Sequence, residues 1–170
     1  MIIFIAGTTH TGKTALAQQL LEKYKFPYLS LDHLKIGLIR SGKTDISVYD
    51  DEKLTPYIWS IVKEIVKTVI QNGQNLIIEG CYIPFDWKKD FSDEYLAEIK
   101  YYCLIMSKHY IQNNFAEILA NESAIEKRLV SGDITQEELI TDNELNLRMC
   151  KRYGLNYILI DKEYSVDIEL

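Results

Sequence analysis

Short apolar runs alternate along the chain with longer segments in which apolar residues recur every three or four positions. Strands without polar alternation are covered on both faces, as in a parallel sheet between two layers of helices. The pattern therefore predicts an α/β three-layer sandwich that forms a single domain over residues 1–170. The predicted strands are Ile2–Ala6, Tyr28–Leu31, Leu76–Glu79, Tyr101–Met106 and Tyr157–Ile160.

Two helices carry boundary signals. Thr55-Pro56 offers a capping side chain followed by proline at the first helical position, and Asn72-Gly73 ends the apolar pattern that follows. The segment from Thr135 to Glu138 is a capping box, which predicts a helix from about Gln136 to Arg152 that Gly154 closes.

Two connecting segments are predicted to be less regular. The polar stretch 41–53, which contains Gly42, predicts a mobile loop. The stretch 113–135 has apolar residues that permit short helices, but Ser131-Gly132-Asp133 interrupts them. We therefore interpret 113–135 as a hinged lid.

The connection after the first predicted strand carries a complete phosphate-loop motif. The segment Gly7–Thr14 satisfies the Walker A pattern G-x-x-x-x-G-K-[ST], whose chance occurrence in a chain of this length is on the order of one per cent. Glycines let backbone N–H groups turn toward phosphate oxygens, and the next helix, predicted over Lys13–Tyr24, presents its positive N-terminal end. The predicted nucleotide-binding residues are Gly7, Thr8, Thr9, His10, Thr11, Gly12, Lys13, Thr14 and Ala15.

Two side chains of this loop have predicted roles in holding ATP and Mg²⁺. Lys13 is predicted to contact the β- and γ-phosphates, and the Thr14 hydroxyl to coordinate Mg²⁺. The alternative is a glycine-containing turn with a surface lysine. The sequence lacks the Asn-Lys-x-Asp segment that reads guanine in GTPases, which favours ATP over GTP.

Two carboxylates follow predicted strands at the edge where ligands bind in open α/β sheets. Glu79 ends the third strand and is predicted to lie near the metal ion and the substrate. Asp32 follows the second strand and is predicted to accept a proton from a substrate hydroxyl. Structural interpretations remain open for both: Asp32 as the cap of a helix that begins at His33, and Glu79 as an acid at a strand end.

Phosphoryl transfer also requires cations against the developing negative charge. Arg128, in the predicted lid, suits closure over ATP, and Arg40 suits an anionic acceptor, although a lone arginine is more often a surface residue. Arg148 and Arg152 share a predicted helix face with Glu144, which favours a solvated, salt-bridged surface.

Charge and composition limit the partners. The chain has 19 Lys plus Arg against 25 Asp plus Glu, a net charge of -6, which repels nucleic acid. The apolar run Met1–Ala6 is too short to span a bilayer. Scattered cysteines and histidines favour reduced thiols and no transition-metal site. We expect a cytoplasmic monomer or homodimer with no nucleic-acid or membrane partner.

With its phosphate loop, Asp32 and Ile78-Glu79-Gly80, the chain resembles P-loop kinases of the adenylate and shikimate kinase type. It is similar, more closely, to small bacterial proteins described as 2-phosphoglycerate-kinase-like or adenylate-kinase-like, through segments 31–41 and 75–84. The resemblance covers nearly the whole chain. It implies a five-stranded parallel sheet in the order 2-3-1-4-5, helices on both faces, and a lid between the fourth and fifth strands.

The resemblance also implies roles for single residues and leaves the acceptor open. Asp32 occupies the place of an acid that contacts the acceptor hydroxyl in related kinases, and Arg128 matches a lid arginine that closes on the phosphates. The arginine-rich lid of adenylate kinases and their Asp-Gly-Phe-Pro segment are absent, and Glu79-Gly80-Cys81-Tyr82 stands in place of the latter.

Two functions fit these observations. The first is an ATP- and Mg²⁺-dependent kinase of a small metabolite, with Lys13, Asp32 and Arg128 as catalytic residues, Asp32, Arg40 and Glu79 at the substrate, and Thr14 and Glu79 at the metal. The alternative is a nucleotide-responsive binding protein or weak ATPase with no small-molecule acceptor. Aromatic residues that could stack on a base are Tyr49, Tyr57, Trp59, Tyr82 and Trp87.

Overall fold

The computed structural model describes residues 1–121 and 134–170. Its strands are β1 (Ile2–Gly7), β2 (Tyr28–Ser30), β3 (Leu76–Glu79), β4 (Ile99–Met106) and β5 (Tyr157–Ile160). Its α-helices are α1 (Lys13–Tyr24), α2 (Leu31–Arg40), α3 (Asp51–Gln71), α4 (Asp93–Leu96), α5 (Lys108–Ala120) and α6 (Gln136–Tyr153). A short 3-10 helix lies at Trp87–Asp90.

The strands form one parallel sheet in the order β2-β3-β1-β4-β5. This arrangement confirms the predicted strands and the sheet order that the resemblance implies. In a parallel sheet all carboxyl ends meet at one edge, and ligands bind there in folds of this kind. Ile5 of β1 pairs with Glu79 of β3, so the phosphate loop and the acid at the end of β3 lie side by side.

The central strand β1 is buried along its whole length. Successive side chains of a strand point to opposite faces. Accordingly, Ile2, Phe4 and Ala6 pack into a core with α3 and the segment around Trp87. On the other face, Ile3 and Ile5 pack against α1 and the C-terminal segment. The sheet is covered on both faces, as its continuous apolar runs predict.

Most of the predicted helix boundaries are confirmed. Thr135 and Glu138 form the capping box at the start of α6, because each side chain bonds the backbone of the other residue. Gly154 closes that helix in the left-handed conformation, at a φ of 59°. Gly73 follows the end of α3 with a φ of 63°. These ends were predictable because each depends on contacts within a few residues.

The predicted start of α3 is wrong. The helix begins at Asp51, because the side chain of Asp50 accepts a hydrogen bond from the backbone N–H of Lys53 at 3.2 Å and caps the helix one turn early. Thr55 is therefore inside the helix, where its hydroxyl donates to the carbonyl of Asp51 at 2.8 Å. Pro56 also lies inside the helix. Because proline has no backbone N–H, it cannot donate to the carbonyl four residues earlier, and the helix loses one backbone hydrogen bond.

The predicted lid is only partly covered by the described residues. Helix α5, capped by the Ser107 side chain, accounts for the part up to Ala120. Residues 122–133, with Arg128 among them, lie outside the described residues, so the assignment of Arg128 stays a prediction. None of the helices in the described ranges has both the length and the apolar composition that spanning a bilayer requires.

Candidate active site

The loop between β1 and α1 has the backbone geometry of a phosphate cradle. Gly7 has a φ of 138°, and a Cβ there would lie 2.6 Å from the carbonyl oxygen of Leu104. Gly12 caps α1 with a φ of 82°, and His10 also adopts a positive φ, of 63°. Alternating backbone conformations of this kind turn successive N–H groups toward one point, which is what bound phosphate requires.

Side chains of the loop fix its shape. The Nζ atom of Lys13 donates to the carbonyl oxygen of Thr8 at 2.7 Å, and the Thr11 hydroxyl donates to the same oxygen at 2.9 Å. Lys13 is only 6% exposed, although it is charged. A buried ammonium that spans the loop at a helix N-terminus is placed to bind an anion. The residues therefore fit the phosphates of a nucleotide.

Thr14 and Glu79 meet beside the loop. The Thr14 hydroxyl donates to Oε1 of Glu79 at 3.3 Å, across the gap between α1 and β3. Glu79 is 1% exposed and therefore buried at the end of its strand. A hydroxyl and a carboxylate oxygen are ligands that suit Mg²⁺, which takes its remaining ligands from phosphate and water. The Thr14 hydroxyl and the Glu79 carboxylate therefore fit the Mg²⁺ ion that accompanies a bound nucleotide.

The end of β3 lies against the start of α2. Gly80 has a φ of 152°, and a Cβ there would lie 2.7 Å from the Cβ of Leu31. This contact brings Asp32, in the first turn of α2, to the same edge of the sheet as Glu79. The expectation that Asp32 caps a helix at His33 is wrong, because α2 begins at Leu31 and its N-cap is Ser30.

A polar chain links Asp32 to the start of α3. The ammonium of Lys35 lies 3.3 Å from Oδ1 of Asp32 and donates to the Tyr82 hydroxyl at 2.6 Å. That hydroxyl donates to Oδ1 of Asp51 at 2.9 Å. Burial, and then the bond to Asp51, raise the pKa of Tyr82 above its ordinary value, so the hydroxyl keeps its proton. The two carboxylates are thus held by one neutral phenol and one lysine.

A cavity of about 550 Å³ opens next to the phosphate loop. Its wall is formed by residues 7–9, the start of α3, the segment 81–86 after β3, the middle of β4 and one face of α6. The size suits a small metabolite. Asp32 is not part of this wall, whereas Asp51 is.

The charged side chains of the cavity wall are carboxylates. Asp51, Asp86 and Asp142 line it, and no lysine or arginine of the described ranges does. Desolvation raises the pKa of Asp142, opposed by a hydrogen bond with the Thr8 side chain. Asp142 on α6 and Thr8 of the phosphate loop therefore face the same cavity.

The other predicted side chains lie apart from the cavity. Arg40 is exposed at the last residue of α2, about 12 Å along the helix from Asp32 at 1.5 Å per residue. Arg148 and Arg152 are exposed on α6, as expected for a solvated face. Trp59 and Trp87 are 5% and 2% exposed and pack edge-on against Phe4, so neither is available to stack on a base.

The C-terminal segment contributes a contact that the sequence did not predict. The Tyr164 hydroxyl donates to the carbonyl oxygen of Thr11 at 3.2 Å, and its ring covers Gly12. Burial raises the pKa of Tyr164 to about 12. Ile168 anchors this segment in the core beside α1, and Leu170 N–H donates to the Tyr24 hydroxyl at 3.3 Å.

Sequence reasoning therefore missed Asp51, Asp142 and Tyr164. Asp51 had a signal, because Asp50-Asp51-Glu52 ahead of an apolar helical pattern is typical of a helix start. Asp142 and Tyr164 had none, since they reach Thr8 and Thr11 from 134 and 153 residues away by tertiary packing.

Solved structures share this fold over nearly the whole chain. A candidate kinase from Chloroflexus aurantiacus is 18% identical, with a TM-score of 0.55 over 98% of this chain and 91% of its own. Deoxyadenosine kinase from M. mycoides is 14% identical, with a TM-score of 0.55 over 95% of this chain and 90% of its own. The chain has the fold of P-loop small-molecule kinases.

A further structure agrees with this assignment. Shikimate kinase from Acinetobacter baumannii, solved with shikimate, is 13% identical, with a TM-score of 0.54 over 96% of this chain and 84% of its own. No protein-family model matches the sequence, and no curated protein does. At these identities the similarity establishes the P-loop kinase fold, and the chemistry has to be argued from the site.

Proposed function

We propose that this protein is an ATP- and Mg²⁺-dependent kinase that transfers the γ-phosphoryl group to a hydroxyl or phosphate of a small metabolite. The observation that carries the proposal is the position of the cavity, whose wall includes Gly7, Thr8 and Thr9 of the phosphate loop. An acceptor bound in the cavity would meet a nucleotide bound in the loop, and phosphoryl transfer depends mainly on such positioning.

The nucleotide would be held by the backbone of residues 7–15, and Lys13 would bind the β- and γ-phosphates. Thr14 and Glu79 would hold Mg²⁺, which neutralises charge on the phosphates. As the reaction proceeds, the bond from the γ-phosphorus to the β,γ-bridging oxygen breaks and ADP leaves. Lys13, which the loop holds through its bond to the Thr8 carbonyl, would stabilise the negative charge that develops on the departing ADP.

A carboxylate would receive the proton of the acceptor hydroxyl as its oxygen bonds to the γ-phosphorus. We assign this role to Asp32, as its place after β2 predicts. Asp51 is the competing assignment, because it lines the cavity and shares the Lys35 and Tyr82 chain with Asp32. Asp32→Asn and Asp51→Asn discriminate the two, since loss of the proton acceptor lowers kcat, whereas loss of a binding contact mainly raises KM.

The acceptors named for similar structures are consistent with a kinase of small hydroxylated molecules. The Acinetobacter structure holds shikimate, and the M. mycoides enzyme is a deoxyadenosine kinase with dCMP bound as a product. Arg128 and the lid remain part of the proposal, as a cation that closes over ATP. Arg40 remains a proposed contact only for an acceptor long enough to reach the far end of α2.

A second function is favoured by one observation, the contact of Tyr164 with the phosphate loop. Nucleotide binding that moved Thr11 would also displace Tyr164 and the C-terminal segment, and that displacement could change the binding of a protein partner. On this alternative, the protein is a nucleotide-responsive binding protein or a weak ATPase.

Phosphorus NMR of ATP with Mg²⁺ and pooled metabolites distinguishes the two functions. A kinase produces a new phosphate ester that is absent with Lys13→Ala and strongly reduced with Asp32→Asn or Asp51→Asn. Tight ATP binding without an ester from any pool would reject the kinase and favour the nucleotide-responsive protein.

A further inference from the structure

Two cysteines of the core lie against each other behind the cavity wall. Cys103 belongs to β4 and Cys150 to the last turn of α6, and both pack into the same hydrophobic core. They are 1% and 0% exposed, and both are free thiols. Their side chains share a hydrogen bond, in which Cys103 donates to Cys150. The two sulfur atoms are therefore neighbours, although 47 residues separate the two cysteines in the chain.

Main-chain hydrogen bonds hold the two positions together. After Gly154 closes α6, the N–H of Leu155 donates to the carbonyl oxygen of Cys150 at 2.9 Å. The carbonyl oxygen of the next residue, Asn156, accepts from the N–H of Cys103 at 3.1 Å. The end of α6 is thus bonded to β4 at the residue that carries the first thiol. A disulfide forms readily only where the backbone already brings two cysteines together, and these bonds do so.

Tyr101 is the third member of this cluster. Its hydroxyl bonds to both thiols and has no nitrogen or oxygen partner among residues 1–121 and 134–170. The bond from Cys103, and to a smaller extent the bond from Tyr101, lower the pKa of the Cys150 thiol below its ordinary value, against the effect of burial. The thiolate is the reactive form of cysteine, whereas burial in apolar surroundings alone makes a thiol inert. The cluster therefore favours reaction at this pair of sulfur atoms.

The cavity gives the pair a route to solvent. Cys103 and Tyr101 line it, and so does Met149, the neighbour of Cys150 on α6. Its volume of about 550 Å³ far exceeds what one or two water molecules need, so a molecule as small as hydrogen peroxide can enter. Of the two sulfur atoms, that of Cys103 is the one that an entering molecule meets first.

We propose that Cys103 and Cys150 are a redox-active pair that forms a disulfide when hydrogen peroxide enters the cavity. The reaction needs neither ATP nor an acceptor, so it stands apart from the proposed kinase function. A disulfide of this kind is a reversible modification, and within a reducing compartment it is typical of transient redox sensing rather than of permanent cross-linking.

The reaction takes place in two steps. With one of the two thiols ionised, the remaining proton can lie on either sulfur of the hydrogen bond. When it lies on Cys150, the Cys103 sulfur attacks the peroxide: an S–O bond forms, the O–O bond breaks and hydroxide leaves. The Cys150 sulfur then attacks the Cys103 sulfur, the S–S bond forms, the S–O bond breaks, and the hydroxide that leaves takes the Cys150 proton as water. Overall, two thiols lose two electrons and the peroxide is reduced to two water molecules.

Peptide mapping of the oxidised protein tests the pairing. The protein is treated with hydrogen peroxide, its remaining thiols are alkylated in urea, and it is digested with trypsin without reduction. Trypsin cuts after Lys and Arg, which places Cys81, Cys103 and Cys150 in the separate peptides 68–88, 101–108 and 149–151. We expect a product that joins 101–108 to 149–151 and that dithiothreitol separates. A disulfide that includes Cys81, or a Cys103 and a Cys150 that remain unlinked, would overturn the inference.

Dimedone, which traps sulfenic acids, tests the order of the two steps. In Cys150→Ser the second sulfur is missing, so the sulfenic acid should persist on Cys103 and be labelled in peptide 101–108. In wild type the same treatment should give little label, because Cys150 resolves the sulfenic acid first. Wild type labelled on Cys103 as strongly as Cys150→Ser would contradict the role of Cys150.

Thermal unfolding tests whether the thiols are held in bonding geometry. The disulfide closes a long loop between β4 and α6, so Tm of the oxidised wild type should exceed that of the reduced protein by about 5 °C or more. Cys103→Ser and Cys150→Ser should abolish the difference, whereas Cys81→Ser removes the exposed thiol of the same cavity wall and should preserve it. An oxidised form with an equal or lower Tm would contradict the proposed geometry. The peptide map is made on wild type, so the pairing is tested even if a serine variant does not fold.

Discussion

The phosphate loop and the neighbouring cavity are built in opposite ways. The loop is one continuous segment, Gly7–Thr14, whose binding groups are backbone N–H donors and one buried lysine. The cavity gathers residues from positions 6 to 153, and its charges are carboxylates. On the proposed function, the loop would bind phosphate whatever the acceptor, and the cavity would select the acceptor. Changes in the loop should abolish transfer, and changes in the cavity wall should alter specificity or local stability.

The largest effect is expected at Lys13. Lys13→Ala removes a buried cation that, on the proposed function, would bind the β- and γ-phosphates, so kcat/KM for ATP should fall by about 10²–10³-fold or more. Lys43→Ala removes an exposed lysine and should leave the rate unchanged. Steady-state kinetics with any acceptor that supports turnover check this prediction. A Lys13→Ala enzyme that keeps a tenth of wild-type kcat/KM would contradict it.

The next effect is expected at Gly12, where backbone conformation and packing act together. A Cβ at Gly12 would lie 1.9 Å from the Tyr164 hydroxyl oxygen, at a φ of 82°. Gly12→Ala should therefore lower the free energy of unfolding by about 2–4 kcal/mol. Gly42→Ala has a φ of 67° but nothing within 4 Å, so it should cost about 1 kcal/mol.

Denaturant unfolding measures both costs. Adding Tyr164→Ala to Gly12→Ala should relieve the steric part of the destabilisation and leave the backbone part. Equal destabilisation by Gly12→Ala and Gly42→Ala would mean that Tyr164 does not pack on the loop.

Glu79 should affect the metal ion more than the nucleotide. Glu79→Gln keeps the shape of the side chain and an oxygen for the Thr14 hydroxyl but removes the negative charge. The Mg²⁺ concentration needed for half-maximal activity should rise about 10–100-fold. Glu64→Gln, on the surface of α3, is the matched control. An unchanged Mg²⁺ requirement would leave Glu79 with only a structural role at the strand end.

The smallest effect is expected at Asp90, which ties the 3-10 helix to α3. Its carboxylate accepts from Trp59 Nε1 at 2.8 Å and from Lys63 at 2.9 Å, and these bonds lower its pKa below 3.8. Asp90→Asn should cost about 1.5 kcal/mol of unfolding free energy at neutral pH, with ATP affinity unchanged.

The pH dependence of that loss gives a second check. A lowered pKa contributes stability that is present above the ordinary value and lost as pH falls through the folded value. Wild type and Asp90→Asn should therefore differ in unfolding free energy at pH 7, and the difference should begin to shrink near pH 3.8 and vanish only below the lower pKa of the folded protein. A difference that persisted unchanged at pH 2 would show that the carboxylate charge is not what stabilises the segment.

The same contrast explains how far the sequence could predict the molecule. The five strands were predictable from continuous apolar runs, and the start of α6 was predictable from the capping box at Thr135, because both signals depend on neighbouring residues. The start of α3 was misplaced because Asp50 competed with Thr55 for the cap and was closer to the acidic first turn. Asp142 reaches Thr8 only through the packing of α6 on the sheet, and no spacing in the sequence records that contact.

Occlusion of the cavity tests the central claim most directly, because it separates the acceptor from the nucleotide. Asn146 lines the cavity on α6, so Asn146→Trp should fill part of that space without touching the loop. Ester formation and the binding of a fluorescent ATP analogue are measured on the same protein. We expect ATP affinity to stay within about twofold of wild type while kcat/KM for the acceptor falls at least about tenfold. Transfer at the wild-type kcat/KM in Asn146→Trp would contradict it, because the acceptor would then bind elsewhere.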